Sequence, residues 1–281
     1  MIDIGNDNSI GFWSPSTSTV DWCEKNYQVS NYIAEYFNTL SSLFISIIGL
    51  IGLFLHYEHE RRVRLLFCTL FIVGLGSTAF HGTLLFPGQM MDESSMIFMI
   101  LTMFYCAVEM ENTKCTRFGP WFPLLLVGYG SVITTAMFVS GNHKESQWQL
   151  LEFVIFQASF ISLAFICYLY ILYYSWRNWT KQRAWLLSPV AQLAFAIAYA
   201  FWLFDVHLCH RLRQGFNLFS LNIPYPQLHA WWHVLSSFAM YLFCTIFTFT
   251  RSSVLRSEPT IAYFGFLPYV RNLNATQKKI E

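Results

Sequence analysis

Seven apolar stretches, each long enough to cross a lipid bilayer, occupy most of this 281-residue chain and leave it little else to fold with. They run approximately over residues 31–56, 62–86, 90–110, 121–140, 150–174, 183–204 and 227–250. A hydrocarbon core about 30 Å thick takes about 20 residues in helical form. The sequence therefore predicts an all-α membrane protein, a seven-transmembrane helix bundle. Composition agrees: 12% of the residues are charged, where a soluble domain carries roughly a quarter. A net charge of +1 without charge blocks gives no basic surface for nucleic acid and no solvated interaction tail. The expected organisation is a lumenal N-terminal segment over 1–30, the helical domain over 31–250 and a cytosolic tail over 251–281. The first 30 residues contain no apolar core of a signal peptide.

Basic residues orient such a bundle, because Lys and Arg flanking the spans stay on the cytosolic side. With the N-terminus lumenal or extracellular and the C-terminus cytosolic, 13 of the 17 Lys and Arg fall in cytosolic pieces. The chain ends KKIE, a dilysine pattern of the kind read by retrieval coats at the endoplasmic reticulum. The expected residence is thus the endoplasmic reticulum or Golgi membrane, with that coat as a partner. Connections between spans are short, FPGQ at 86–89 among them. Only the stretch from about 205 to 226 is long, and it is a candidate lid or cap.

Of the seven cysteines, Cys68, Cys106, Cys167 and Cys244 lie in spans and Cys115 in a cytosolic loop. Cys23 and Cys209 alone face the lumen, where oxidising conditions favour a disulfide between them.

The stretch HAWWH places His229 and His233 one helical turn apart, on one face, as two ligands to a single ion require. His81, in GLGSTAFH, precedes the Pro87 turn by six residues, and Asp92, in MMDES, follows it closely. At about 1.5 Å per residue all four groups fall within about 10 Å of the same lumenal boundary. Ionisable groups at that depth need partners and mark function more often than packing. Three imidazoles leave a fourth position open, the arrangement of catalytic rather than structural zinc. Ser77 lies one turn from His81 on the same face, where it also serves as a small packing residue beside Gly74 and Gly76. His56 and His59 lie at the far end of the first span and His143 in a loop. His207 and His210 form a pair without a third ligand.

The leader STSTVDWCEKNYQVSNYIAEYFN holds Asp21, Glu24, Asn26 and Glu35 within a short window. Hard oxygen ligands at close spacing suit calcium, with the Trp22 carbonyl completing the shell. The same acids also serve as a solvated leader and a helix N-cap, and no EF-hand frame is present.

FWSPSTSTVDWCEKNY, YIAEYFN, GLGSTAFH, MMDES, FWLFD and QLHAWWH together closely resemble the alkaline ceramidases. That family belongs to a larger superfamily of seven-span CREST-type metal hydrolases that includes the adiponectin-type receptors. The resemblance covers about residues 11–250. It implies zinc at His81, His229 and His233, with catalytic roles for Ser77 and Asp92. It also implies calcium near Asp21, Trp22, Glu24, Asn26 and Glu35, and a Cys23–Cys209 disulfide. The function expected is zinc-dependent hydrolysis of the N-acyl amide of ceramide-type lipids. The alternative is an adiponectin-receptor-like protein in which zinc supports the fold.

Overall fold

A computed structural model describes residues 2–3, 9–112, 117–143, 145–178, 186–213, 216–218, 221–223, 226–255 and 258–272. Cys115 and the terminal KKIE lie outside the described residues. Helices α1 (Tyr36–Leu55), α2 (Arg61–Thr83), α3 (Phe86–Val108), α4 (Trp121–Gly141), α5 (Ser146–Asn178), α6 (Leu187–Arg213) and α7 (Leu228–Val254) form the body. All seven are long and apolar enough to cross a membrane. Three two-stranded pieces accompany them: β1 (Ile2–Asp3) with β2 (Val20–Asp21), β3 (Phe216–Leu218) with β4 (Leu221–Ile223), and β5 (Pro259–Phe264) with β6 (Leu267–Asn272).

The helices are not equal partners. In α7 72% of the spanning window is buried and in α2 56%, against 17% in α4 and α6, so the outer helices spend most of their surface on lipid. One apolar core joins α1, α2, α3 and α7 through Ile48, Leu66, Phe67, Leu70, Met103 and Leu242. Close approach of α1 and α2 depends on glycine: a Cβ at Gly74 would sit 2.3 Å from the Ser46 nitrogen. Without a hydrophobic gain between helices in lipid, such backbone contact is what brings them together.

Three boundaries differ from the sequence reading. Helix α1 begins at Tyr36 rather than 31, because the Glu24 carboxylate accepts the Phe37 and Asn38 N–H groups at 2.7 and 2.8 Å and so caps its first turn. FPGQ is the first turn of α3 and not a connection. Pro87 sits at its start, where its missing N–H costs nothing, and the chain reverses at Leu84, whose φ is +51°. The stretch 205–226 is no open loop either. DVHLCHRLR has no Gly or Pro to stop it, so α6 continues to Arg213 and the β3–β4 hairpin follows.

The leader lies over the histidine end of the bundle. Thr17 and Ser18 donate to the Leu84 carbonyl, both at 3.1 Å, while Ala34 and Glu35 donate to the Gly82 and His81 carbonyls, both at 3.0 Å. Cys23 is disulfide-bonded to Cys209 on α6, with the Cα atoms 5.4 Å apart. At the opposite end Arg251 of α7 pairs with Glu60 at 3.0 Å and donates to the Met110 carbonyl at 3.0 Å, which ties the ends of α2, α3 and α7 together.

Candidate active site

Helix α2 supplies His81 and α7 supplies His229 and His233, the latter two separated by one turn and therefore on one face. All three rings are buried, and one ligand atom from each lies within 4.8 Å of the others. Ring centroids are 5.1 Å apart for His81–His229, 4.8 Å for His81–His233 and 4.6 Å for His229–His233.

What surrounds the rings fixes their orientation. His81 Nδ1 faces the Glu35 carboxylate, and His233 Nδ1 meets the Ser41 hydroxyl at 2.8 Å. Both contacts engage Nδ1, so Nε2 is the nitrogen free for an ion, the pattern by which outer partners set the tautomer of a metal-binding imidazole. His229 stacks on Trp22 with centroids 3.8 Å apart, and its Nδ1 is buried without a hydrogen-bond partner. Three neutral nitrogen donors with an anchored carboxylate behind one of them fit a zinc ion well.

Ser77 lies one turn before His81, so α2 presents both to the same region. Its hydroxyl is 2.9 Å from Ser42 Oγ, and Ser77 lines the same cavity as Asp92 of α3. Ser42 Oγ is in turn 3.3 Å from His233 Nδ1. The Ser77 and Ser42 hydroxyls thus lead from the cavity wall to His233.

The acidic leader residues gather over the same end. Asp21, Glu24, Asn26 and Glu35 are all buried. Asn26 Nδ2 donates to Asp21 at 3.2 Å, the Trp22 N–H donates to Glu35 Oε1 at 3.1 Å, and Asn38 Nδ2 donates to Glu35 Oε2 at 2.9 Å. Burial, together with the nearby Glu35 carboxylate, pushes the Glu24 carboxyl up to about 7 in spite of its backbone hydrogen bonds. Glu35 therefore faces two ways, toward His81 with one oxygen and toward the leader backbone with the other.

Below the trio a cavity of about 550 Å³ extends into the bundle, with Ser77, Asp92, His229 and His233 at its polar end. Most of the remaining wall is apolar, from α3 (Met96, Met99), α5 (Phe156, Phe160) and α6 (Phe195, Tyr199), with Glu93, Gln157 and Gln192 among the polar exceptions. His143 stacks on Trp148, and His207 and His210 are exposed on α6; none of them joins the trio.

Several groups here escape the sequence reading. Ser41, which orients His233, and Ser42, which touches both His233 and Ser77, sit in TLSSLFIS, where polar residues inside an apolar run are the available signal. Glu35 is legible as an acid but not as the partner of His81, because 46 positions separate the two. A second buried polar group also appears: Gln89 Nε2 donates to Thr19 Oγ1 at 2.7 Å and to Glu93 Oε1 at 3.0 Å, and Thr19 Oγ1 donates to Glu152 at 2.7 Å.

A family model described as Ceramidase matches residues 14–271. Alkaline ceramidase 3 of Mus musculus is 31% identical over 269 residues, which cover 92% of this chain and 94% of that protein. Alkaline ceramidase of Arabidopsis thaliana is 31% identical over 273 residues, with 94% and 96% covered. A yeast relative from Saccharomyces cerevisiae, also described as an alkaline ceramidase, is 27% identical over 245 residues.

Proposed function

The chain belongs to the ceramidase family, and from that premise we propose that it is a zinc-dependent amidohydrolase cleaving the N-acyl bond of ceramide-type lipids within the membrane, releasing a sphingoid base and a fatty acid. The observation that carries this reading is the meeting of a three-histidine trio, a Ser–Asp pair and a deep apolar cavity at one point in the bundle. A lipid with two long chains fills such a cavity with its tails while its amide stays at the polar end.

His81, His229 and His233 would hold the zinc, with Glu35 and Ser41 orienting two of the rings. Zinc so held supplies Lewis acidity, polarising the amide carbonyl and lowering the pKa of water to about 7. The work of the chain itself falls to two side chains. Asp92 accepts the proton of the attacking water and returns it to the nitrogen of the leaving amine, the usual division of labour for a general acid and base. Ser77, which lines the same cavity as Asp92, turns its hydroxyl to the oxygen of the tetrahedral intermediate and stabilises the charge that develops there. The apolar cavity wall keeps bulk water away and strengthens both interactions.

Calcium at Asp21, Glu24, Asn26, Glu35 and the Trp22 carbonyl has a bracing part in this proposal. Those carboxylates cap α1 and back His81, so a cation there would offset their crowded charge and steady the mouth of the bundle.

The test is hydrolysis of fluorescent ceramides by purified protein, alongside elemental analysis. One zinc per chain, with turnover lost in His81→Ala and in Asp92→Ala while Asp92→Ala keeps its zinc, is the expected result. Turnover that survives both substitutions would defeat the reading.

A further inference from the structure

The sequence assigns residues after 250 to a cytosolic tail, yet residues 259–272 form an antiparallel hairpin packed lengthwise on the bundle. The depth it reaches can be read from its partners. Val270 N–H donates to His56 Nε2 at 3.1 Å, which places Val270 level with the end of α1. Two residues further on, the Pro268 carbonyl accepts from the Tyr241 hydroxyl at 2.9 Å. Beyond that the tip residue Phe266 packs against Phe238 of α7, with centroids 6.1 Å apart.

Arg251 marks the rim of the bundle at this end, because it meets Glu60 at the start of α2 and the Met110 carbonyl just past the end of α3. At about 1.5 Å per residue, Tyr241 lies about 15 Å and Phe238 about 20 Å inward from Arg251 along α7. With strand residues advancing about 3.3 Å each, β6 from Val270 to Leu267 independently covers about 10 Å in the same direction. The tip therefore stands deep inside a hydrocarbon layer about 30 Å thick.

Its chemistry fits that depth. Tyr263, Phe264 and Phe266 at the tip are 65%, 58% and 65% exposed, a concentration of aromatic surface that water disfavours. Gly265, at φ +59°, makes the two-residue turn possible without a polar side chain. The edge of β6 toward the bundle has partners there. Pro268 has no N–H to satisfy, its carbonyl is bonded to Tyr241, and Val270 N–H is bonded to His56. Charged or polar residues at the other end of the hairpin, Arg271 and Asn272 opposite Thr260 and Pro259, stay at the rim.

We propose that residues 259–272 are a membrane-embedded hairpin whose Tyr263–Phe264–Gly265–Phe266 tip contacts the acyl chains of the bilayer, so that the bundle holds an eighth element inside the lipid. The proposal stands apart from the hydrolase reading and needs no substrate. The occupant is lipid hydrocarbon rather than a protein partner, because the exposed face of α4 at comparable depth carries the same kind of surface, with Val132 67% exposed.

The experiment places a nitroxide at the tip (Phe264→Cys, spin-labelled) in the full chain, reconstituted in phosphatidylcholine vesicles, with Cys68, Cys106, Cys115, Cys167 and Cys244 replaced by alanine. Collision with oxygen, which concentrates in hydrocarbon, is compared with collision with a water-soluble nickel chelate. Val132→Cys serves as the lipid standard and Arg271→Cys as the water standard. The expected result is an oxygen-to-nickel ratio at 264 matching position 132 and several-fold above position 271. A ratio matching position 271 puts the tip in water, and low collision with both reagents puts it against protein; either outcome overturns the proposal. As a second measurement in the otherwise native sequence, benzoylphenylalanine at 264 should form a phospholipid adduct on illumination, and a folded protein yielding none would equally overturn it.

Discussion

Replacing Gly76 by alanine probes the site without touching a reacting group. Gly76 precedes Ser77 on α2 and faces the start of α3, and a Cβ built there falls 2.7 Å from the Met91 carbonyl oxygen, 2.8 Å from its carbon and 3.0 Å from Asp92 Cα. All three atoms are backbone, so no side chain can swing aside. Restoring ordinary contact at 3.4 Å from 2.7 Å moves the two helices apart by about 0.7 Å beside Ser77 and Asp92. Overpacking of this kind costs about 1–3 kcal/mol. Displacing catalytic groups by about 1 Å lowers rates by about a hundredfold. We therefore expect Gly76→Ala to lose between tenfold and a hundredfold in kcat/KM on a fluorescent ceramide, with a lower Tm. Zinc content should hold, since α7 carries two of the three histidines. Gly128→Ala on α4, where a Cβ meets nothing within 4 Å, is the matched control and should hydrolyse normally. Wild-type turnover and Tm in Gly76→Ala, or equal damage from Gly128→Ala, would refute the reasoning.

Two further outcomes are expected. Glu35→Gln keeps the size of the side chain behind His81 but removes its charge, and loss of such an outer partner weakens metal binding by about 10- to 100-fold; zinc retention measured against a graded chelator series checks this, and wild-type retention would count against Glu35 as the orienting group. Burial lowers the pKa of His56, at the end of α1, from 6.5 to about 4, with Nδ1 against the Gly52 carbonyl and Nε2 accepting from Val270. Because the unfolded chain takes up this proton first, stability is whole above pH 6.5 and declines as pH falls toward 4, by about 3 kcal/mol across that window. Tm followed against pH should slope downward there, and a His56→Gln variant with the same slope would dissociate the effect from this ring.

How far the sequence reaches differs from group to group. Pairs such as His229 and His233, or Ser77 and His81, are legible because one helical turn separates them and the helix itself fixes their common face. Depth is legible too, since the bilayer forces the boundaries of each span. The links between Glu35 and His81, Ser41 and His233, or Gln89, Glu93 and Glu152 are not, because each depends on how separate helices rotate and slide against one another. The limits of α1, α3 and α6 also differ from the sequence reading, for local reasons in each case: a carboxylate from the leader, a proline tolerated in a first turn, and a charged stretch with nothing in it to stop a helix.

The sequence by itself determined the seven spans, the layer in which the ionisable groups lie and the types of ligand available, since hydrocarbon imposes backbone pairing and length on any chain that crosses it. Only the tertiary structure decided that Nδ1 of His81 and of His233 is engaged by Glu35 and Ser41, that Glu35 serves the trio as well as the leader, and that residues 259–272 return along the bundle instead of leaving it. The physical reason is the same throughout. In lipid, apolar contact scarcely favours one helix rotation over another, so the arrangement is settled by backbone approach at glycines and by hydrogen bonds between distant polar side chains, and neither carries a periodic signal along the chain.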